Sequence, residues 1–74
     1  MIEDRETAKY VLQLFLDINN QMDKSIVAIE NKVSPAEFKT YKNGIGCVMF
    51  EVFEKIIVPL CERHPSLKPP EIER

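Results

Sequence analysis

The 74-residue sequence has only two cysteines, two glycines and one histidine, and it has no tryptophan. The cysteines, Cys47 and Cys61, fall on one predicted helix. A rise of about 1.5 Å per residue separates them by roughly 21 Å, which excludes a disulfide between them. Free thiols are typical of a reducing compartment, and a chain this short then usually gains stability by oligomerising. We therefore expect a cytoplasmic protein that associates with a second chain.

The sequence also lacks a concentrated basic segment and a long apolar run. Its net charge of −2, with 30% charged residues, gives no electrostatic reason to bind nucleic acid. Residues 1–6 are acidic where a secretory signal would be basic. The longest apolar runs, 45–50 and 56–61, fall far short of the roughly 20 residues of a membrane span. We expect neither a nucleic-acid partner nor membrane association.

Apolar residues recur every three or four positions in the first half of the chain, as on one face of an α-helix. No proline or glycine occurs before Ser34, and three acidic residues near the start suit the positive end of the helix dipole. The pattern predicts one helix over about 3–32. Its apolar positions are Ala8, Val11, Leu12, Phe15, Ile18, Met22, Ile26, Ile29 and Val33.

The segment from Val33 to Phe38 carries a helix start signal. Ser34 and Glu37 have the spacing of a capping box, in which each side chain accepts from the other residue's backbone N–H. Pro35 occupies the first helical position, where its missing N–H costs nothing. A second helix is therefore predicted to begin at residue 35.

Helical spacing of apolar residues continues through the second half and predicts a helix over 35–63. Gly44 and Gly46 each lower helix propensity by about 1 kcal/mol, so a loop and a three-helix protein remain the alternative. The apolar phase is unchanged across the glycines, which favours one continuous helix. Pro59 lacks the N–H that would bind the carbonyl of Lys55, which predicts a kink or a looser turn.

Proline also sets the end of this helix, because the residue before a proline avoids the α conformation. The pair His64-Pro65 therefore closes a domain of residues 1–64. Residues 65–74 are predicted to be an extended, proline-containing tail that Leu67 anchors to the helices.

Two long helices with a very short link form an antiparallel hairpin. The predicted register sets Ala8 beside Leu60 and Ile26 beside Tyr41, and it brings Arg63 towards Glu3. The apolar arc of the second helix is wider than one partner helix requires. Its far side is predicted to be a dimer interface that joins two hairpins into an all-α four-helix bundle, through Gly46, Phe50, Phe53, Ile57 and Cys61.

The candidates for chemistry are few. Cys61 and His64 share a helix face, but a closed zinc site takes four ligands and a catalytic dyad needs a third, orienting group. The residues Gly44-x-Gly46 lack the third glycine and the preceding strand of a nucleotide-binding turn. We therefore predict no catalytic, cofactor-binding or metal residues. The sequence favours a non-enzymatic, homodimeric interaction or regulatory module with an unidentified protein partner, and the alternative is a small-molecule- or metal-binding bundle.

Polar residues near the helix seam form one further hypothesis. Asn19 and Ser25 lie at the edge of the apolar arc of the first helix. A polar group near a helical seam fixes register or oligomeric state at some cost in stability. Replacing Asn19 with leucine is therefore expected to raise stability.

Overall fold

The structure is a computed structural model that describes residues 1–68, and it confirms an all-helical chain in which two long helical arms pack together. No strand occurs within those residues, and residues 69–74 of the predicted tail lie outside them. The hairpin measures 45 × 19 × 16 Å. Its elements are α1 (Arg5–Ile29), α2 (Pro35–Val52), a π-helical turn (Phe53–Ile57), α3 (Val58–Arg63) and a 3-10 turn (Pro65–Leu67).

Helix α1 begins after Asp4, whose carboxylate accepts from the backbone N–H of Thr7 at 2.9 Å. The Thr7 hydroxyl and backbone N–H both donate to this carboxylate and lower the pKa of Asp4. The helix ends at Ile29, three residues before the predicted end. There the N–H of Lys32 bonds to the carbonyl of Ile29 at 2.8 Å, an i to i+3 contact that tightens the chain into the link.

Helix α2 starts with the predicted capping box. The N–H of Ser34 donates to Glu37 Oε1 at 2.9 Å, and the N–H of Glu37 donates to Ser34 Oγ at 3.2 Å. Donation by the Ser34 backbone and hydroxyl lowers the pKa of Glu37. The helix runs without a break through Gly44 and Gly46, which confirms the prediction of one continuous helix there.

The helix changes geometry just before Pro59. The N–H of Val58 bonds to the carbonyl of Phe53, five residues earlier, so residues 53–57 form one wide π-helical turn. Proline has no N–H for an α-helical bond, and its ring crowds the carbonyl four residues before it. A widened turn removes that conflict without ending the helix, and it rotates all later residues by up to about 100°, the angle of one residue.

The buried core is small and lies at the end of the hairpin opposite the α1–α2 link. Ala8 and Leu12 of α1 meet Ile57, Leu60 and Cys61 of the π turn and α3. By contrast, none of the 18 residues of α2 is buried. Partly buried residues extend the core: Ile2, Val11, Phe15, Leu16, Val52, Phe53, Ile56 and Leu67.

Contacts near both ends of the hairpin fix its register. Near the link, the hydroxyls of Ser25 and Tyr41 lie 2.7 Å apart. At the other end, Arg63 pairs with Glu3 at 3.7 Å, as the predicted register requires. Ser25 is the neighbour of Ile26, which was expected beside Tyr41, so the observed pairing lies within one residue of the prediction.

Residues 65–68 fold back onto α1 instead of extending. Residues Pro65–Leu67 form a 3-10 turn, in which the N–H of Lys68 bonds to the carbonyl of Pro65 at 3.2 Å. Arg5 Nε donates to Ser66 Oγ at 3.2 Å, and Leu67 packs against the core, which confirms its role as an anchor. A proline at the first position of the turn has a φ angle compatible with it, so proline content alone does not require an extended segment.

Candidate functional site

The five residues of the predicted dimer interface do not share one surface. Gly46 and Phe50 are exposed on α2, and Phe53 is partly buried against the core. Ile57 and Cys61 are only 1% and 8% exposed, so they belong to the core of the hairpin itself. The prediction assumed uninterrupted α-helical periodicity, and the π turn rotates the last two residues away from the side occupied by Phe50. An interface at Gly46, Phe50 and Phe53 stays a prediction.

An open apolar groove surrounds Gly46 on the outer side of α2. Phe50 is 60% exposed, an unusual state for a large aromatic side chain. A Cβ atom placed on Gly46 would meet nothing within 4 Å, so the space above this glycine is free. The groove is lined by Lys42, Asn43, Gly46, Cys47, Phe50 and Glu51.

A second apolar surface follows the seam between α1 and α2 on one side of the hairpin. Tyr10 and Leu14 are one helical turn apart on α1, and Tyr41 and Val48 are two turns apart on α2, so each pair shares a face. Ser25 lies on the same face of α1, and its contact with Tyr41 brings the two faces together. We call Tyr10, Leu14, Tyr41 and Val48 the seam stripe. All four side chains are exposed.

The sequence alone did not identify the seam stripe as one surface. Tyr10 and Leu14 lie just outside the regular apolar series of α1, and Tyr41 and Val48 lie within that of α2. Spacing therefore assigned Tyr41 to the contact with α1 and placed Val48 in the same apolar arc. Only the pairing of the helices, fixed here by the Ser25–Tyr41 contact, places the two exposed pairs along the same seam.

The arrangement of Cys61 and His64 does not favour nucleophilic chemistry. Burial raises the pKa of the Cys61 thiol, which keeps it protonated, and a protonated thiol is a poor nucleophile and metal ligand. His64 Nε2 lies 2.7 Å from the carbonyl oxygen of Ile2. A carbonyl only accepts, so Nε2 carries the proton and is committed to this bond.

The described part of the chain contains no cluster of three His, Cys, Asp or Glu side chains placed to hold a metal ion. Its acidic side chains are dispersed, and several have local partners. Lys55 pairs with Glu51 at 3.6 Å, and Gln13 donates to Asp17 at 2.9 Å. The candidate site is therefore the pair of apolar surfaces at Gly46 and along the seam.

One polar atom inside the hairpin has no partner. The side-chain oxygen of Asn19 is buried and accepts no hydrogen bond in the described structure. An unsatisfied buried acceptor typically costs about 1–3 kcal/mol. Ser25, the other polar residue at the edge of the arc, is satisfied because its Oγ lies 2.6 Å from the Met22 carbonyl and 2.7 Å from the Tyr41 hydroxyl.

Comparison with known proteins gives no family model, no curated protein and no solved structure that matches this chain. Across residues 1–68, no helix combines the length and the apolar character that crossing a bilayer requires.

Proposed function

We propose that the protein is a non-enzymatic helical interaction module that acts as a homodimer. The observation that carries this proposal is α2, an 18-residue helix with no buried residue. Its apolar residues include Val48 and Phe50, which are 50% and 60% exposed. Leaving large apolar side chains in water forgoes about 1.5–3 kcal/mol each, so a helix of this composition usually packs against another surface.

The size of the core supports the same proposal. A domain of this length buries a smaller share of its surface than a larger domain does, about 60%, and is marginally stable alone. Five of the described residues are buried, all at one end of a particle only 16 Å thick in its thinnest direction. A helix with its side chains is about 10–12 Å across, so that thickness has room for only one layer of helices. A second hairpin laid against the first would supply the missing layer and complete a four-helix bundle.

The homodimer leaves surface for a further macromolecule. The groove at Gly46 and the seam stripe lie on different parts of the hairpin, so one can join two copies while the other stays accessible. Tyr10, which is 71% exposed, and the nearby Leu14 make the stripe the candidate surface for a protein partner. Tyrosine is enriched among the residues that dominate protein binding, and contiguous exposed apolar patches usually mark interaction sites.

Sedimentation of the full chain over a range of micromolar concentrations tests the homodimer. We expect a reversible monomer–dimer equilibrium and an unfolding temperature that rises with protein concentration, because association stabilises the folded state by mass action. A monomer throughout that range, with an unfolding temperature independent of concentration, would reject the homodimer.

Affinity capture from the native cell tests the partner surface when the wild type is compared with Leu14→Asp. A protein retained by the wild type and lost with the variant would support the stripe as its binding site. Equal retention by both chains would exclude it. Gln13→Asp, an equal charge change at the neighbouring exposed position, is the matched control.

A further inference from the structure

We propose that two copies pair through the outer face of α2, antiparallel, with the twofold axis passing between Gly46 and Cys47. This inference rests on the proposed homodimer and specifies its surface. The groove has a bare floor at Gly46, and Phe50 stands exposed one turn further along the same helix. The open space at Gly46 and the exposed ring of Phe50 lie on the same face. Two copies related by a twofold axis can therefore each place the ring of one in the space of the other.

The register follows from the spacing along α2. A twofold axis between residues 46 and 47 sets Phe50 of each copy opposite Asn43 of the other. The ring then enters the space bounded by Asn43, Gly46 and Cys47 of the second copy, which line the groove. Antiparallel helices pack side chains of one helix into holes between residues three and four apart on the other, and this contact has that form.

The charges on the groove support the antiparallel direction. Lys42 lies on the N-terminal side of the proposed axis and Glu51 lies at the matching distance on the C-terminal side. In the antiparallel pair, each Lys42 therefore faces a Glu51 of the other copy. A parallel pair would set lysine against lysine and glutamate against glutamate. The surface is thus complementary to itself in one orientation only.

The existing ion pair of Glu51 does not prevent this contact. Glu51 reaches Lys55 of its own helix at 3.6 Å, and both side chains are more than half exposed. Exposed pairs one helical turn apart are weak, so the carboxylate is able to turn towards a second lysine. Lys42 has no carboxylate partner among the described residues and remains available.

Reversing the charge of Lys42 or of Glu51 tests both the proposed interface and the antiparallel orientation of the two helices. Lys42→Glu places two glutamates opposite each other twice per dimer, and Glu51→Lys does the same with lysines. We expect each single variant to weaken self-association by about tenfold, from two repulsive pairs in place of two attractive ones. Lys24→Glu, an equal change on α1, is the control and is expected to alter the dimer constant less than about twofold.

Mixing the two variants gives the decisive measurement. When Lys42→Glu and Glu51→Lys chains are combined, every pair across the proposed interface is again of opposite charge. We expect a mixed dimer about as tight as the wild type, and we expect the double variant to recover its own homodimer. Circular dichroism of each variant checks that the helices remain folded.

Cross-linking at Cys47 gives an independent readout. The proposed axis brings the two Cys47 thiols close together, so a short bifunctional maleimide should link wild-type dimers and fail with Cys47→Ser. A wild-type dimer that neither responds to the charge changes nor cross-links at Cys47 would overturn this inference and leave the homodimer standing. A wild-type chain that stays monomeric would overturn both.

Discussion

Tyr41 on α2 donates its hydroxyl hydrogen to the Oγ of Ser25 on α1 across 2.7 Å. The direction follows from the second contact of Ser25, whose own hydrogen is directed to the carbonyl oxygen of Met22 at 2.6 Å. A serine hydroxyl has one hydrogen, so the tyrosine must supply the other. This bond joins the two helices near the link, where few side chains are deeply buried.

Removing that bond is expected to loosen the link end of the hairpin. Tyr41→Phe should lower the free energy of unfolding by about 0.5–1 kcal/mol, because the site is partly exposed and water replaces the lost donor. Urea unfolding at fixed protein concentration measures this loss. Tyr10→Phe removes the hydroxyl of a more exposed tyrosine and serves as the control. Equal effects of the two variants would contradict the role of the Ser25 contact.

Asn19→Leu is expected to stabilise the protein. The change removes a buried acceptor without a partner and adds apolar volume beside the seam, for a gain of about 1–3 kcal/mol. Asn20→Leu, one position along on the exposed side, is the matched control and should change stability little. Thermal unfolding of both variants measures the difference. A loss of stability in Asn19→Leu alone would show that the amide has a favourable partner.

Ile57 and Phe50 should respond differently to truncation. Ile57→Ala leaves a cavity in the core and is expected to cost about 2–5 kcal/mol at any protein concentration. Phe50→Ala removes an exposed ring, so its effect on a dilute monomer should be small and its effect on self-association large. Chemical unfolding and sedimentation of the two variants separate these effects. If Phe50→Ala lost as much stability as Ile57→Ala at low protein concentration, Phe50 could not lie exposed on the surface of the monomer.

Alanine substitutions at Gly44 and Gly46 of α2 form a matched pair of variants that tests the dimer contact. A Cβ atom added at either position would meet nothing within 4 Å, so alanine fits at both, and each change should favour the helix by about 1 kcal/mol. Gly44→Ala is expected to give this gain at every protein concentration. Gly46→Ala should raise stability only in the dilute monomer. In the dimer, the added methyl group would narrow the groove that receives Phe50 of the second copy. Thermal unfolding at low and high concentration measures both gains, and an equal gain from both at high concentration would count against that contact.

Stability should fall in acid, partly through Asp4. The folded-state pKa of Asp4 is lowered by the Thr7 hydroxyl and N–H, so its contribution is present above the unfolded pKa, about 3.9, and is lost as the pH falls through the folded value. Asp4→Asn keeps a capping side chain but does not titrate. The unfolding temperature of this variant should therefore depend less on pH below about 4. An unchanged pH profile would show that the Asp4 contribution is negligible.

The sequence was most informative where a local pattern has a single structural solution. Ser34, Pro35 and Glu37 define a helix start that hardly depends on the rest of the fold, and the apolar spacing of α1 leaves little choice of buried face. Even the register came within one residue, because the short link limits how far the helices can slide.

The looser turn predicted at Pro59 is present as the π turn, but the sequence did not reveal how that turn would orient the residues around it. A proline inside a helix is accommodated by a kink, by an early end or by a wide turn, and tertiary packing selects among them. The π turn directs Ile57 and Cys61 into the core beside Ala8 and Leu12. Spacing along one helix does not reveal that choice. The same limit applies to the seam stripe, which exists only once two helices are paired.

The position of the core has a consequence for how the molecule opens. Most helical proteins fray first at their termini, but here the first helical turns of α1 and the end of α3 meet in the most buried region, while the α1–α2 link lies at the weakly packed end. Local opening should therefore start at the middle of the sequence and spread towards both termini. In the dilute monomer, amide hydrogens around residues 30–45 would exchange before those near Leu12 and Leu60.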